Sequence, residues 1–269
     1  GTEIIFSDKG HIISYSNLNI NGTKDNPIIF RSNFNGTKDD NEQYGYGILV
    51  MNTSKTSIIN NSIFKYMSHP DVNLGYGLMG PINFYNSDVI IKNSEFSDNL
   101  SGDDYLNIIN SNFEISNVKI TNSKFDSIDI DFSKGIMEKV YVLNAGNDGI
   151  DFSGSDVKLK DIFINSVEDK GLSVGEKSKI LVENLKIKNA SIGLASKDLS
   201  TLDVKNFDIQ NSKIIAAAYQ KKSEYGPGYI NVTNISNINN TFDYFSELNS
   251  KIIIENQLIP VTSYDYSSF

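Results

Sequence analysis

The sequence predicts an all-β, single-domain right-handed parallel β-helix with terminal caps, built from coils of about 22 residues with three short strands each. Three observations support this. Apolar residues recur at a step of 22: Phe84, Leu106, Ile128, Ile150, Leu172, Leu194 and Ala216. Charged and small residues keep the same step, in the series Asp104, Asp126, Asp148, Lys170; then Asp129, Asp151, Ser173, Ala195; then Asp131, Ser153, Gly175, Lys197. Between these positions β-branched residues alternate with polar ones over short stretches, and no 3.6-residue period is sustained. Units of this kind bury their apolar faces only by stacking on one another.

In chain order, residues 2–6, the alternation from His11 to Ile20 and the apolar run 27–30 predict the first coils and an N-terminal cap over 1–45. Turns are expected at Asn21-Gly22 and Asn35-Gly36, and a polar loop at 38–45. The body extends over 46–240, with a Gly-, Pro- and Tyr-containing insertion at 66–80 that leaves the coil as a loop and could bring His69 to one wall of a groove. One coil then reads Ile150 to Phe152, Val157 to Leu159 and Ile162 to Ile164, and the next two repeat it. Val157 to Ile180 spans 23 positions, which predicts one extra residue near Lys177 to Lys179. Ala216 to Tyr219 starts a further strand, residues 220–228 form a projecting turn, and 241–269, with Phe242, Phe245 and Tyr264, form the second cap.

Parallel strands need a long return path. Here two further strands and their bends supply it, with Asn at recurrent bends: Asn93, Asn117, Asn184 and Asn206. Asn tolerates the left-handed backbone that such bends need. On repeat length, strand count and bend asparagines, residues 46–240 resemble the pectate-lyase-like superfamily. The resemblance implies the fold and, by analogy, polysaccharide chemistry assisted by Ca²⁺ with a Lys or Arg base.

Composition narrows the partners. The net charge is -9 with 21% charged residues, which argues against nucleic acid. Cys is absent, which excludes a thiolate metal centre, and the only two His, His11 and His69, lie far apart in sequence, which argues against a His-rich zinc centre. No apolar run reaches the roughly 18 residues of a membrane span. No signal peptide is visible in a sequence that begins at Gly1; the expected place of action is still outside the cell, at its surface or in a periplasm. Trp is absent, leaving 14 Tyr and 15 Phe for packing or sugar stacking.

In Ile128-Asp129-Ile130-Asp131-Phe132 the alternation directs the apolar residues inward and both aspartates outward. One coil on, about 4.8 Å away, Asp151 stacks on Asp129 and Ser153 on Asp131. Like charges opposite one another destabilise a sheet. The stack is therefore compensated by a bound cation, by raised pKa values or by Lys170 and Lys197; the competing reading is a solvated acidic surface neutralised by those lysines. The expected cation ligands are Asp126, Asp131, Asp148, Asp169, Glu176 and Asp198, a hard oxygen set suited to Ca²⁺. The expected catalytic residues are Lys170, Lys197, Asp129 and Asp151. Ser153, Ser173, Tyr105, Tyr219, Lys221, Lys222 and Tyr225 are expected to bind an acidic polysaccharide or cell-surface glycan. Three schemes stay open: lyase or C5-epimerase chemistry on a uronate, placed first, with a lysine base; glycoside hydrolysis by paired carboxylates; or a non-catalytic, adhesin-like carbohydrate-binding β-helix.

Overall fold

A computed structural model describes residues 1–36, 44–70 and 79–262. Most of the loop expected at 38–45, the centre of the 66–80 insertion and Tyr264 lie outside the described residues. The described chain winds into a right-handed parallel β-solenoid. Ile128 pairs with Ile150, Ile150 with Leu172, Leu172 with Leu194, and Leu194 with Ala216, the step of 22 expressed as strand register. The extra residue is also present: Val157 pairs with Ile180, and Glu176 and Lys177 occupy consecutive left-handed conformations.

Among the described residues the strands form a ten-stranded and a fourteen-stranded sheet. The ten-stranded sheet carries the first segment of each coil, such as Asp126–Asp131. The second and third segments, expected as separate strands, run together in strands such as Asp156–Val167 and Thr201–Gln210. The bend between the two segments is made by a left-handed residue: Asn117, Lys139, Asp161, Asn184 and Asn206 have φ between 52° and 61°. A single such residue turns the chain while the parallel hydrogen bonds continue on both sides of it. The bend asparagines bond along the axis, Asn117 Nδ2 to Asn93 Oδ1 at 2.8 Å and Asn206 Nδ2 to Asn184 Oδ1 at 2.7 Å.

The interior is a continuous apolar column, with Phe30, Phe64 and Phe96 stacked at 5.1 and 4.8 Å between ring centres. Phe132 is a correction. Expected to point inward, it is 58% exposed with φ 50°, because the strand ends at Asp131 and the chain turns the corner there.

At the same corner a buried serine ladder ties the coils together. The backbone N–H groups of Ser87, Ser111, Ser133, Ser155 and Ser178 donate to the hydroxyls of Ser111, Ser133, Ser155, Ser178 and Ser200 at 2.8–3.1 Å. Ser133→Ala strands the N–H of Ser111 in the interior. We expect a loss of about 1–3 kcal/mol, read as a lower urea midpoint at unchanged slope.

Candidate functional site

Three outward-facing lines run along the ten-stranded sheet. The first is Asp104, Asp126, Asp148 and Lys170; the second is Asn83, Asn107, Asp129, Asp151 and Ser173; the third is Asp131, Ser153, Gly175 and Lys197. This face is recessed: Asn83, Asn107, Asp104, Asp148 and Ser173 are all buried. At its N-terminal end Gly80 bonds to Asn83, with its N–H 3.2 Å from Asn83 Oδ1, and His69 Nδ1 lies 3.5 Å from the Gly80 carbonyl. At the other end Tyr219 packs on Phe245 within an apolar cluster that includes Ile192, Ala195 and Ala217.

The electrostatics follow from putting aspartates on a buried face. Burial, then the neighbouring Asp126 and Asp103, pushes Asp104 up to about 8. Burial and Asp148 push Asp126 to about 7, although Asp126 Oδ1 accepts from Asn147 Nδ2 and from the Asp148 N–H, both at 2.7 Å. Burial, Asp151 and Glu176 push Asp131 to about 6, partly offset by Lys222. Asp129 lies well above the usual carboxylate range, through burial and then Asp104, Asp131 and Asp151. Asp148 is raised by burial and held back by Lys170. Loss of water disfavours the charged form, and each nearby carboxylate adds to that.

The lysines close the acid lines. Lys170 Nζ is 3.4 Å from Asp148 Oδ1 and also bonds Asp169. Lys197 Nζ is 2.9 Å from Ser173 Oγ and 3.8 Å from Asp151 Oδ1. Its stem crosses Gly175, where a Cβ would stand 2.9 Å from Lys197 Cε. Glycine here lets the ammonium reach back toward the preceding coil.

The expected residues are thus only partly brought together. Asp126, Asp148 and Asp151 have oxygens within 4.8 Å of one another. Asp151, expected only in catalysis, joins that group, whereas Asp131, Asp169, Glu176 and Asp198 are outside it. Asp169 sits at the rim on Lys170. Glu176 pairs with Lys222, and Asp198 Oδ1 accepts the N–H groups of Lys221 and Lys222 at 2.8 and 2.7 Å, so both acids anchor the turn at 220–228. Lys177 Nζ lies 5.5 Å from the Tyr225 ring on that turn. Lys221 is exposed and Ser153 half-buried.

Tyr105 is a second correction. It does not line the face but lies in the interior, edge-on to Phe96 at 5.7 Å, with its hydroxyl bonding the carbonyls of Phe64 and Ser97. Tyr219, expected beside a ligand, is buried in the apolar end of the face. Two residues absent from the expected set belong to it. Asp104 adds a carboxyl whose Oδ2 is buried without a hydrogen-bond partner, and Asn107 Nδ2 donates to Asp129 Oδ2 at 3.0 Å while its own Oδ1 is unpartnered. Both lie one coil before a site aspartate, so the same step points to them.

A cavity of about 630 Å³ on the other sheet lies between Ile136 and Leu181. Along it Glu138, Lys160, Glu183 and Lys205 stack in register, so its charges neutralise one another and offer no acid–base pair.

No protein-family model matches the sequence, and no curated protein matches it. Solved structures do. A point mutant of the periplasmic alginate epimerase AlgG aligns with 90% of this chain and 72% of its own at 11% identity and TM-score 0.55. A double mutant of the same epimerase gives TM-score 0.53 at 11% identity, over 94% of this chain and 73% of its own. The catalytic domain of a GH87 α-1,3-glucanase in complex with nigerose aligns at 13% identity and TM-score 0.47 over 94% of this chain, which spans 62% of that domain. At these identities the likeness to the epimerase establishes a shared right-handed β-solenoid fold.

Proposed function

We propose that the protein hydrolyses a neutral glycan on the recessed face, with Asp129 as general acid and Asp151 as the second carboxylate of the pair. One observation carries this reading: two acids stack in register on this face, one hydrogen-bonded by Asn107 and the other beside the Lys197 ammonium. Burial and the acids around it push the Asp129 carboxyl well above the usual carboxylate range. Asn107 occupies its Oδ2, which leaves Oδ1 to carry the proton. Asp151, one coil on, is half-buried and has the Lys197 ammonium 3.8 Å from its Oδ1. Paired carboxyls split in this way are the apparatus of glycoside hydrolysis: one protonates the leaving oxygen, and the other attacks the anomeric carbon or activates a water to do so.

Charge argues for a neutral substrate. Asp104, Asp126, Asp129, Asp131, Asp148 and Asp151 face Lys170, Lys197 and, at Asp131, Lys222, and all three ammonium groups already engage protein partners. With those ammonium groups engaged, a polyuronate's carboxylates would have to compete with protein partners for every positive charge on the face. Protonated acids and the Asn107 carbonyl suit sugar hydroxyls instead. A glycan substrate implies action at the cell surface, in a periplasm or in the medium.

The meeting of Asp126, Asp148 and Asp151 favours a second reading, the uronate lyase or epimerase. These hard donors fit Ca²⁺, and the unpartnered Asp104 Oδ2 lies on the coil before Asp126. When bound, the ion would supply the positive charge that a uronate carboxylate needs, and Lys197 would be the base.

The test is incubation with linear α- and β-glucans and with polyuronates, each with Ca²⁺ or with chelator. New reducing ends from a neutral glucan, with or without Ca²⁺, are expected, and NMR of the first product reads whether the anomeric configuration is kept. Unsaturated or epimerised uronate that requires Ca²⁺ would replace this reading with the second. Glycan binding without turnover would leave a carbohydrate-binding β-helix. Separately, Ca²⁺ is expected to raise the melting temperature more near pH 8 than near pH 5, because protons compete for the same carboxylates. An identical melt with and without chelator at both pH values would remove the ion.

A further inference from the structure

We propose that Phe132 is an aromatic subsite that stacks on one pyranose ring of the bound glycan; this rests on the glycan reading above. The corner after the first strand of each coil holds Asn52, Asn86, Asn110, Phe132 and Gly154, with φ of 54°, 48°, 49°, 50° and 62°. Their N–H groups donate to the next coil in the same way: Asn110 to the Asp131 carbonyl at 2.9 Å and Phe132 to the Ser153 carbonyl at 2.7 Å. Asparagine suits this conformation, and the side chains bond in sequence, Asn86 Nδ2 to Asn52 Oδ1 at 3.1 Å and Asn110 Nδ2 to Asn86 Oδ1 at 3.4 Å.

Phenylalanine does not suit it. A bulky residue with positive φ is strained, and Phe132 also ends the amide ladder. The ring recovers little by packing, since it is 58% exposed. What it gains is a position. The next coil offers Gly154, where a Cβ would stand 2.5 and 2.7 Å from two ring carbons, so the ring lies over bare backbone. It follows Asp131 directly and therefore borders the third line of the acid face. Leu199, φ 62°, repeats the arrangement over Gly226 farther along, and Tyr225 stands on the same turn as that glycine. The corner beside the acid face thus carries two exposed apolar side chains, Phe132 and Leu199. An uncharged ring on a strained corner beside carboxyls and amides matches a pyranose, which presents apolar C–H faces and a polar edge.

Two variants test it. Phe132→Asn restores the corner asparagine, so its melting temperature should equal or exceed that of the parent. Phe132→Trp introduces the sole Trp of the chain. Affinities for α- and β-linked glucose hexasaccharides are measured calorimetrically in wild type, in Asp151→Asn, and in each Phe132 variant on the Asp151→Asn background. The expected result is binding weakened about tenfold or more in F132N with an undiminished melt, and Trp emission that shifts on adding the hexasaccharide. Parent-like affinity in F132N, or unmoved emission with a sugar that the parent binds, would overturn the subsite and leave hydrolysis standing. Binding that depends on Phe132 without any cleavage by wild type would support the subsite and remove hydrolysis. A wild type that neither binds nor cleaves any hexasaccharide removes both.

Discussion

Asp151→Asn is expected to lower kcat on the cleaved glucan by about 10²–10⁴-fold and at the same time to raise the melting temperature. The two effects have one cause. Asp151 contributes to the upward push on Asp104, Asp126, Asp129, Asp131 and Asp148 alike, so it is the charge that the whole face shares. Its amide keeps the shape and removes the charge, while Lys197 retains Ser173 Oγ at 2.9 Å. The fold gains about 1–3 kcal/mol because buried like charges are relieved, and the reaction loses its second carboxylate. Asp129→Asn should behave similarly, by removing the proton donor. A lysine base predicts a different pattern: Lys197→Met would abolish turnover and Asp151→Asn would cost little. Unchanged kcat in both aspartate variants would refute the carboxylate pair.

Much of this face was legible in the sequence because parallel register is one-dimensional: a step of 22 places Asp129 on Asp151 and Asp131 on Ser153 without any knowledge of the coil's cross-section. What depends on the cross-section was not legible. Strict alternation carries Tyr105 outward, but the coil bends there and two consecutive residues turn inward, as Ser127 and Ile128 do one coil on. The small residues at the matching positions, Ser127, Gly149, Gly171 and Gly193, were the available signal, since only small groups fit beside the interior Ile164, Ile187 and Ile209. Phe132 defied the alternation for a related reason: the strand stops one residue before it. Glu176 and Asp198 read as members of the acid array, but their partners lie on a turn 23 to 46 residues away, a contact that no period reveals. The serine ladder kept nearly the same step, yet serine is too common in bends for its recurrence to stand out.

The protein is also expected to melt at higher temperature as pH falls from about 8.5 to about 5, opposite to the usual behaviour of proteins held by ionised carboxylates. Asp104, Asp126 and Asp131 titrate at about 8, 7 and 6 in the fold, against 3.8 for the ordinary side chain. Between those limits the folded state binds more protons than the unfolded chain, so unfolding free energy falls as pH rises. The stability these groups provide is complete below about pH 4 and is lost successively as pH passes 6, 7 and 8. Because they interact, the steps belong to the cluster and the total is smaller than the separate contributions added together. A change on the order of 10 °C is expected across the window in buffers of matched ionic strength. Asp208, lowered by its bonds to Lys186 and Gln210 despite some burial, works the other way, but its contribution is lost only as pH falls below the ordinary carboxylate range. Asp151→Asn should flatten the slope by removing the shared charge, and saturating Ca²⁺, if it binds the three acids, should flatten it by neutralising them. A melting temperature that climbs with pH over the same window would mean that the recessed carboxyls ionise freely, and Asp129 would then hold no proton to give.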